Sequence, residues 1–100
     1  MAYTLLNPDD VARELETLEG WDLTADGHSI NKTFVFKTFT QAFAFMTECA
    51  FAAEKLNHHP DWSNSYATVE VSLTTHAKKQ LTDRDFQLAH AMEQLFRRHV

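Results

Sequence analysis

Cysteine is nearly absent from this chain. Cys49 is the only one in 100 residues, so no disulfide can close within the chain and a reducing cytoplasm is the expected compartment. Glycine and proline are as sparse, two of each, and no low-complexity stretch occurs. Flexible linkers are thereby excluded, and one ordered globular domain over residues 1–100 is predicted. No apolar run approaches the length of a membrane span, and the opening MAYTLLNPDD has neither the basic nor the apolar region of a secretory leader. No membrane partner is expected. Positive charge is also short: nine Lys and Arg stand against fourteen Asp and Glu, for a net charge of -5, and only Lys78-Lys79 and Arg97-Arg98 are adjacent. Direct binding to nucleic-acid phosphates is therefore not expected. A chain this short has a high surface-to-volume ratio, and burial between subunits is a common way to add stability, so a homodimer or homotetramer is predicted.

What the sequence does have is clear periodicity, in 44% hydrophobic residues. Asn7-Pro8-Asp9-Asp10 reads as a helix start, with a capping Asn, Pro at the first helical position and two acids at the positive end of the dipole. Val11, Leu15 and Leu18 repeat at helical spacing, and Gly20 supplies a stop. Strands around Trp21-Asp22-Leu23 and from Ile30 to Phe36 flank Ala25-Asp26-Gly27, a tight-turn signal. Thr38 and Gln41 have capping-box spacing and open a long helix from Phe39 to Leu56, with Ala42, Phe43, Met46, Ala50, Ala53 and Leu56 as its predicted core stripe. Phe45 and Phe51 fall off that stripe and are expected to face a partner subunit. Asn57 ends the helix, and Pro60 biases His59 towards an extended backbone. Asp61 to Ser65 reads as a short strand or turn. Tyr66 to Thr75 is the clearest strand, since Ala67, Val69, Val71 and Leu73 alternate with Thr68, Glu70, Ser72 and Thr74. An unbroken strand would place Tyr66 and His76 on its one polar face. Thr82 caps a last helix to about Arg98, with Leu88, Ala89, Met92, Leu95 and Phe96 buried. The order α-β-β-α-β-β-α predicts an α+β fold: a four-stranded antiparallel sheet with helices on one face and the polar face open.

The chemistry concentrates between residues 54 and 85, where Glu54, His58-His59-Pro60, Tyr66, His76 and Asp85 gather three of the six histidines. Histidine is the side chain whose unperturbed pKa lies near neutrality, which suits it to moving protons. Glu54, one helical turn before His58, is placed to orient it. Asp85 can do the same for a histidine across the fold, and as the third residue after Thr82 it also fits a capping box. Trp62 and Tyr66 are expected to shape a pocket wall. His28, His90 and His99 lie outside the cluster and read as structural or solvated, and Cys49 as a buried inert thiol.

An acid, three residues, His-His-Pro, five residues, an aromatic, nine residues, His, eight residues and Asp is a pattern that resembles the pterin-4a-carbinolamine dehydratases. Glu54, His58, His59, Pro60, Tyr66, His76 and Asp85 meet it without a mismatch in type or interval. Trp62 and the Thr82-x-x-Asp85 helix start are similar too, as is the element order of the whole chain. The resemblance implies loss of water from 4a-hydroxytetrahydropterin to give quinonoid dihydropterin, which recycles the cofactor of aromatic amino-acid hydroxylases. It assigns His58 and His76 to proton transfer and His59 to holding or polarising the substrate, with no cofactor and no metal. The pterin is then the small-molecule partner, and a carboxylate suits its guanine-like donor edge.

Two other classes fit parts of the pattern. Three histidines and two acids contain enough ligands for zinc, although adjacent His-His suits one tetrahedral ion poorly and no HExxH spacing occurs. A protein-interaction module is the other, because animal relatives of the family act as dimerisation cofactors for a homeodomain transcription factor. Such a role would use helix surfaces rather than the histidines.

Overall fold

The computed structural model describes residues 3–99. The first helix, α1, spans Pro8–Glu16 and opens with a closed capping box: Asn7 Oδ1 accepts from the Asp10 amide at 2.8 Å, and the Asp10 carboxylate accepts from the Asn7 amide at 3.3 Å. It ends earlier than Gly20, at Thr17, whose hydroxyl donates to the Glu14 carbonyl. Gly20 does take the left-handed backbone, at φ 80°, but in the connection beyond Leu18. Strands β1 (Asp22–Leu23) and β2 (Ile30–Val35) pair around a turn in which Gly27 has φ 76°. There the Thr24 hydroxyl and the His28 amide hold the Asp26 carboxyl below its usual range.

Helix α2 (Phe39–Leu56), strands β3 (Asp61–Ser65) and β4 (Thr68–Leu73) and helix α3 (Asp83–Arg97) complete the chain. The sheet is antiparallel throughout, in the order β1-β2-β4-β3. Ile30, Phe34, Val69, Val71 and Leu73 are buried beneath the helices, while Asn31, Thr33, Glu70, Asp61 and Ser63 stand exposed on the other face. The α+β fold and element order expected from the sequence are those of the molecule.

Phe34 sits at the centre of the core, with ring centroids 4.8 Å from Phe45, 5.0 Å from Phe96 and 5.9 Å from Trp21. That places Phe45 fully inside, against the expectation that it faces a partner. The buried stripe of α2 is Ala42, Phe45, Cys49 and Ala53, and Phe43 and Ala50, placed in the core by the sequence reading, are exposed. The physical reason is that α2 is apolar nearly all round, so periodicity leaves its rotation open, and the aromatic well formed by Phe34, Phe36 and Phe96 selects Phe45. Phe51 is exposed as expected, together with Phe39 and Phe43.

One cation reaches into the covered side of the sheet. Lys32 Nζ lies 2.5 Å from Glu93 Oε2 and 2.8 Å from the Glu19 carbonyl, and the Trp21 indole donates to the same Glu93 oxygen at 2.9 Å. Burial of these charges is tolerated because each is paired.

β4 is shorter than its alternating sequence. Tyr66 has a left-handed backbone (φ 51°) in the β3–β4 turn, stabilised by Asn64, whose amide donates to the Tyr66 and Thr68 carbonyls. Past Leu73 the chain bends again, and Thr75 pairs with Gln80 across a turn carrying His76. Tyr66 and His76 therefore share no strand face; they sit at opposite ends of β4, whose six residues span about 20 Å.

Candidate active site

The end of α2 aims the first histidine. Asn57 adopts φ 51°, the His58 amide donates back to the Ala53 carbonyl at 3.0 Å and the Asn57 amide to Glu54 at 3.1 Å. This paired arrangement closes a helix with one left-handed residue, and Asn tolerates that conformation. The Arg84 guanidinium from α3 also donates to the Leu56 carbonyl, tying the helix end to its neighbour. The chain leaves α2 with His58 turned inward and His59 outward, and Pro60 carries it into β3.

His58 Nε2 lies 2.5 Å from Asp85 Oδ1. Asp85 is fully buried, and its other oxygen accepts from the Thr82 amide and from the Thr75 hydroxyl, both at 2.9 Å. Thr75 and Thr82 hydroxyls are 2.8 Å apart. Since the Thr75 proton goes to Asp85, the Thr82 hydroxyl donates to Thr75. One proton is shared between His58 Nε2 and Asp85 Oδ1 across this short contact. Nδ1 is left for other use. Asp85 thus caps α3 with one oxygen and holds the His58 ring at Nε2 with the other.

Glu54, expected to serve His58, meets His59 instead, with Oε2 2.5 Å from His59 Nε2. The left-handed turn at Asn57 causes the exchange, because it rotates His58 away from the helical register that would have placed it over Glu54. His76 Nε2 lies 2.8 Å from Asp61 Oδ2. The His58–Asp85 pair is enclosed, whereas His59–Glu54 and His76–Asp61 are solvent-facing, with side chains more than half exposed.

His58, His59 and His76 line one cavity of about 450 Å³ together with Tyr3, Asn57, Thr74, Thr75, Ala77 and Arg84. That volume is within the range of small-molecule sites. Two expected wall residues are not part of it. Tyr66 is exposed at the far end of the hairpin, and Trp62 lies under the helices in the row Lys32–Val71–Trp62, packed against the core. The aromatic that does border the cavity is Tyr3. It is brought there by an N-terminal segment laced to the start of α3: Thr4 exchanges bonds with Asp83 at 2.8 and 3.0 Å, and Leu6 donates to Leu81. Nothing in the sequence signals that lacing. Thr75 and Asp61 were closer to legible, since each adjoins a motif residue.

A second depression, of about 440 Å³, lies on the open sheet face among Asp22, Asn31, Thr33, Asp61, Ser63 and Glu70, without a histidine. Among the described residues no three His, Cys, Asp or Glu side chains converge as a ligand set for a metal ion, and no helix is long and apolar enough to cross a membrane. His90 bonds to Thr17 and His99 to Glu48, both away from the cavity. Burial, aided by the Glu48 charge, pushes the Cys49 thiol up to about 12.

Comparison with known proteins agrees with this architecture. The family model of pterin 4 alpha carbinolamine dehydratase matches residues 4–95. A protein of Rhizobium meliloti (strain 1021) that provisionally bears the pterin-4-alpha-carbinolamine dehydratase name is 60% identical over 84 residues, covering 84% of this chain and 81% of its own. A crystal structure of a transcriptional coactivator/pterin dehydratase from Brucella melitensis superimposes with a TM-score of 0.88 at 37% identity, over 92% of this chain and 98% of that one. A pterin dehydratase-like protein described as a RuBisCO assembly factor in the alpha-carboxysome shares the fold at a TM-score of 0.67 and 19% identity, over 78% and 90% of the two chains. With a match across nearly its full length and relatives this similar, the chain belongs to the pterin-4a-carbinolamine dehydratase family.

Proposed function

We propose that this protein removes water from 4a-hydroxytetrahydropterin, giving quinonoid dihydropterin. The observation that carries the reading is the convergence of His58, His59 and His76 on one cavity of pterin size. The elimination breaks the C4a–O bond, sends a proton to the departing hydroxyl and takes one from N5, so protons are conserved and no redox change occurs. Two imidazoles divide that work, one donating and one accepting, each typically contributing about 10²- to 10⁴-fold. His58 and His76 are the proposed pair: the ring that enters as imidazolium gives its proton to the departing hydroxyl, the ring that enters neutral takes the N5 proton, and solvent exchange resets the two. His59, held by Glu54, positions or polarises the substrate, and Tyr3 takes the wall role that Trp62 and Tyr66 do not fill. Pro60 keeps His59 extended and carries the chain from the histidines into β3.

A second reading rests on the aromatic residues Phe39, Phe43 and Phe51, exposed on α2. We place the contact of a homodimer or homotetramer there, and a protein-binding role, as in the coactivator named for the Brucella relative, would use the same surface. A lone thiol and the pterin chemistry suit the cytoplasm.

The test is a coupled assay with a pterin-dependent phenylalanine hydroxylase, following decay of the 4a-hydroxy intermediate. Faster decay with this protein and none with His58→Ala/His76→Ala is expected. Unaccelerated decay with folded wild-type protein would shift the weight to the binding role.

A further inference from the structure

Thr75 stands between the two histidines proposed to move protons, and it is tied to each by a different part of itself. Its backbone closes the turn that carries His76: the Thr75 amide donates to the Gln80 carbonyl at 3.1 Å, and the Thr75 carbonyl accepts from the Lys78 amide at 3.0 Å. Its hydroxyl serves the other histidine. It donates at 2.9 Å to Asp85 Oδ2, while Asp85 Oδ1 lies 2.5 Å from His58 Nε2.

That hydroxyl is the last link in a one-way chain of donors. The Arg84 amide donates to the Thr82 hydroxyl at 3.3 Å, Thr82 donates to Thr75 at 2.8 Å, and Thr75 donates to Asp85. Thr75, Thr82 and Asp85 are all buried, so the bonds polarise one another in a low-dielectric surrounding. Two donors converge on Oδ2. The Thr82 amide belongs to the capping box and is needed for α3 whatever the cavity does. The Thr75 hydroxyl has no part in that cap. With the amide alone, the carboxyl could swing about the bond to Oδ2; a second donor, from a different segment of chain, fixes its plane and with it the place of Oδ1.

We infer that Thr75 is a positioning residue for His58, acting through Asp85: its hydroxyl fixes the carboxyl against which the His58 ring is held. Outer partners of this kind orient the groups that touch substrate without touching it themselves. The inference rests on the dehydratase reading for its catalytic consequence, but the support given to the ring can be observed without substrate.

The experiment compares wild type with Thr75→Val, which removes the hydroxyl and keeps the shape, and Thr75→Ser, which keeps the hydroxyl. Thr75→Ala removes the same hydroxyl and takes the place of Thr75→Val should that protein not fold. In ¹⁵N–¹H correlation spectra of histidine-labelled protein without substrate, the His58 ring resonances are expected to move in Thr75→Val and to return in Thr75→Ser, with the His76 ring little changed in both. In the coupled assay Thr75→Val should lower kcat about 10-fold with KM within twofold, and Thr75→Ser should recover most of the rate. A hydroxyl that only satisfies a buried carboxylate would lower Tm and leave the His58 ring and the kcat of the folded protein as they are. An unchanged His58 spectrum in the hydroxyl-free protein overturns the inference whatever the substrate is, and so does an unchanged kcat beside an active wild type. A His76 shift as large as that of His58 also overturns it, because the turn itself would then have moved. Wild type inactive on the pterin counts against the dehydratase reading instead, and the spectra then decide the positioning role alone.

Discussion

His58 Nε2 and Asp85 Oδ1 stand 2.5 Å apart, yet the ring borders a cavity while the carboxylate is sealed from solvent by Thr75, Thr82 and the start of α3. The two proposed proton-transfer histidines consequently differ in how deeply they are tied into the fold.

From sequence alone His58→Ala and His76→Ala are both expected to cut turnover far more than stability. The structure separates them. Both should lower turnover by about 100-fold or more. His76→Ala should leave stability within about 0.5 kcal/mol, because its side chain is mostly exposed. His58→Ala removes one partner of a buried carboxylate and should cost about 2 kcal/mol. Urea titration followed by circular dichroism, beside the coupled assay, measures both. Equal stability losses would contradict the buried geometry.

Tyr66→Ala should leave kcat and KM unchanged. The residue matches the family pattern by spacing, but it stands 70% exposed at the turn, a strand length from the histidines. A KM rise above about threefold would place it in the site after all.

Lys32→Ala strands Glu93 beneath the helices with the Trp21 indole as its remaining donor. The expected cost is about 3 kcal/mol, read as a lower urea midpoint, with turnover of the folded fraction intact. Loss of activity without loss of stability would mean that this buried pair communicates with the cavity.

Cys49 should resist thiol reagents at pH 8 in the native state and react once the chain is unfolded. Burial, with a smaller contribution from Glu48, lifts the folded thiol to about 12, whereas a free one titrates near about 8.5. The neutral form is the one favoured by folding. Stability is therefore unaffected below pH about 8.5 and should fall as pH rises from there towards about 12. Titration with a chromogenic disulfide, with and without denaturant, checks the first statement, and urea midpoints across that alkaline range check the second.

The parts of the molecule that sequence reveals are those governed by neighbours along the chain. Asn7, Thr38 and Thr82 cap their helices as read, Asn57 ends α2, and Asp61–Ser65, legible as strand or turn, forms β3, because caps, turns and strand alternation are local physics. Rotation of α2 was not local: Phe43 and Phe45 are both apolar, and only the rings of Phe34, Phe36 and Phe96 decide between them. The ends of β4 misled because alternation continues through Tyr66 and Thr75 while the backbone turns at both. Within the candidate site the histidines and two acids were visible by spacing. Their pairing was not, since it depends on one left-handed residue at Asn57 and on where Pro60 delivers Asp61.

Asp85 serves two masters. The oxygen that closes the start of α3 and the oxygen that steadies His58 belong to one carboxyl group, so the helix cannot be re-capped without disturbing the ring, nor the ring re-tuned without loosening the helix. A protein engineer seeking a different proton-transfer partner would find that corner closed to incremental change. The freedom lies with Glu54 and Asp61, neither of which caps a helix start, and whose histidines can be adjusted one substitution at a time.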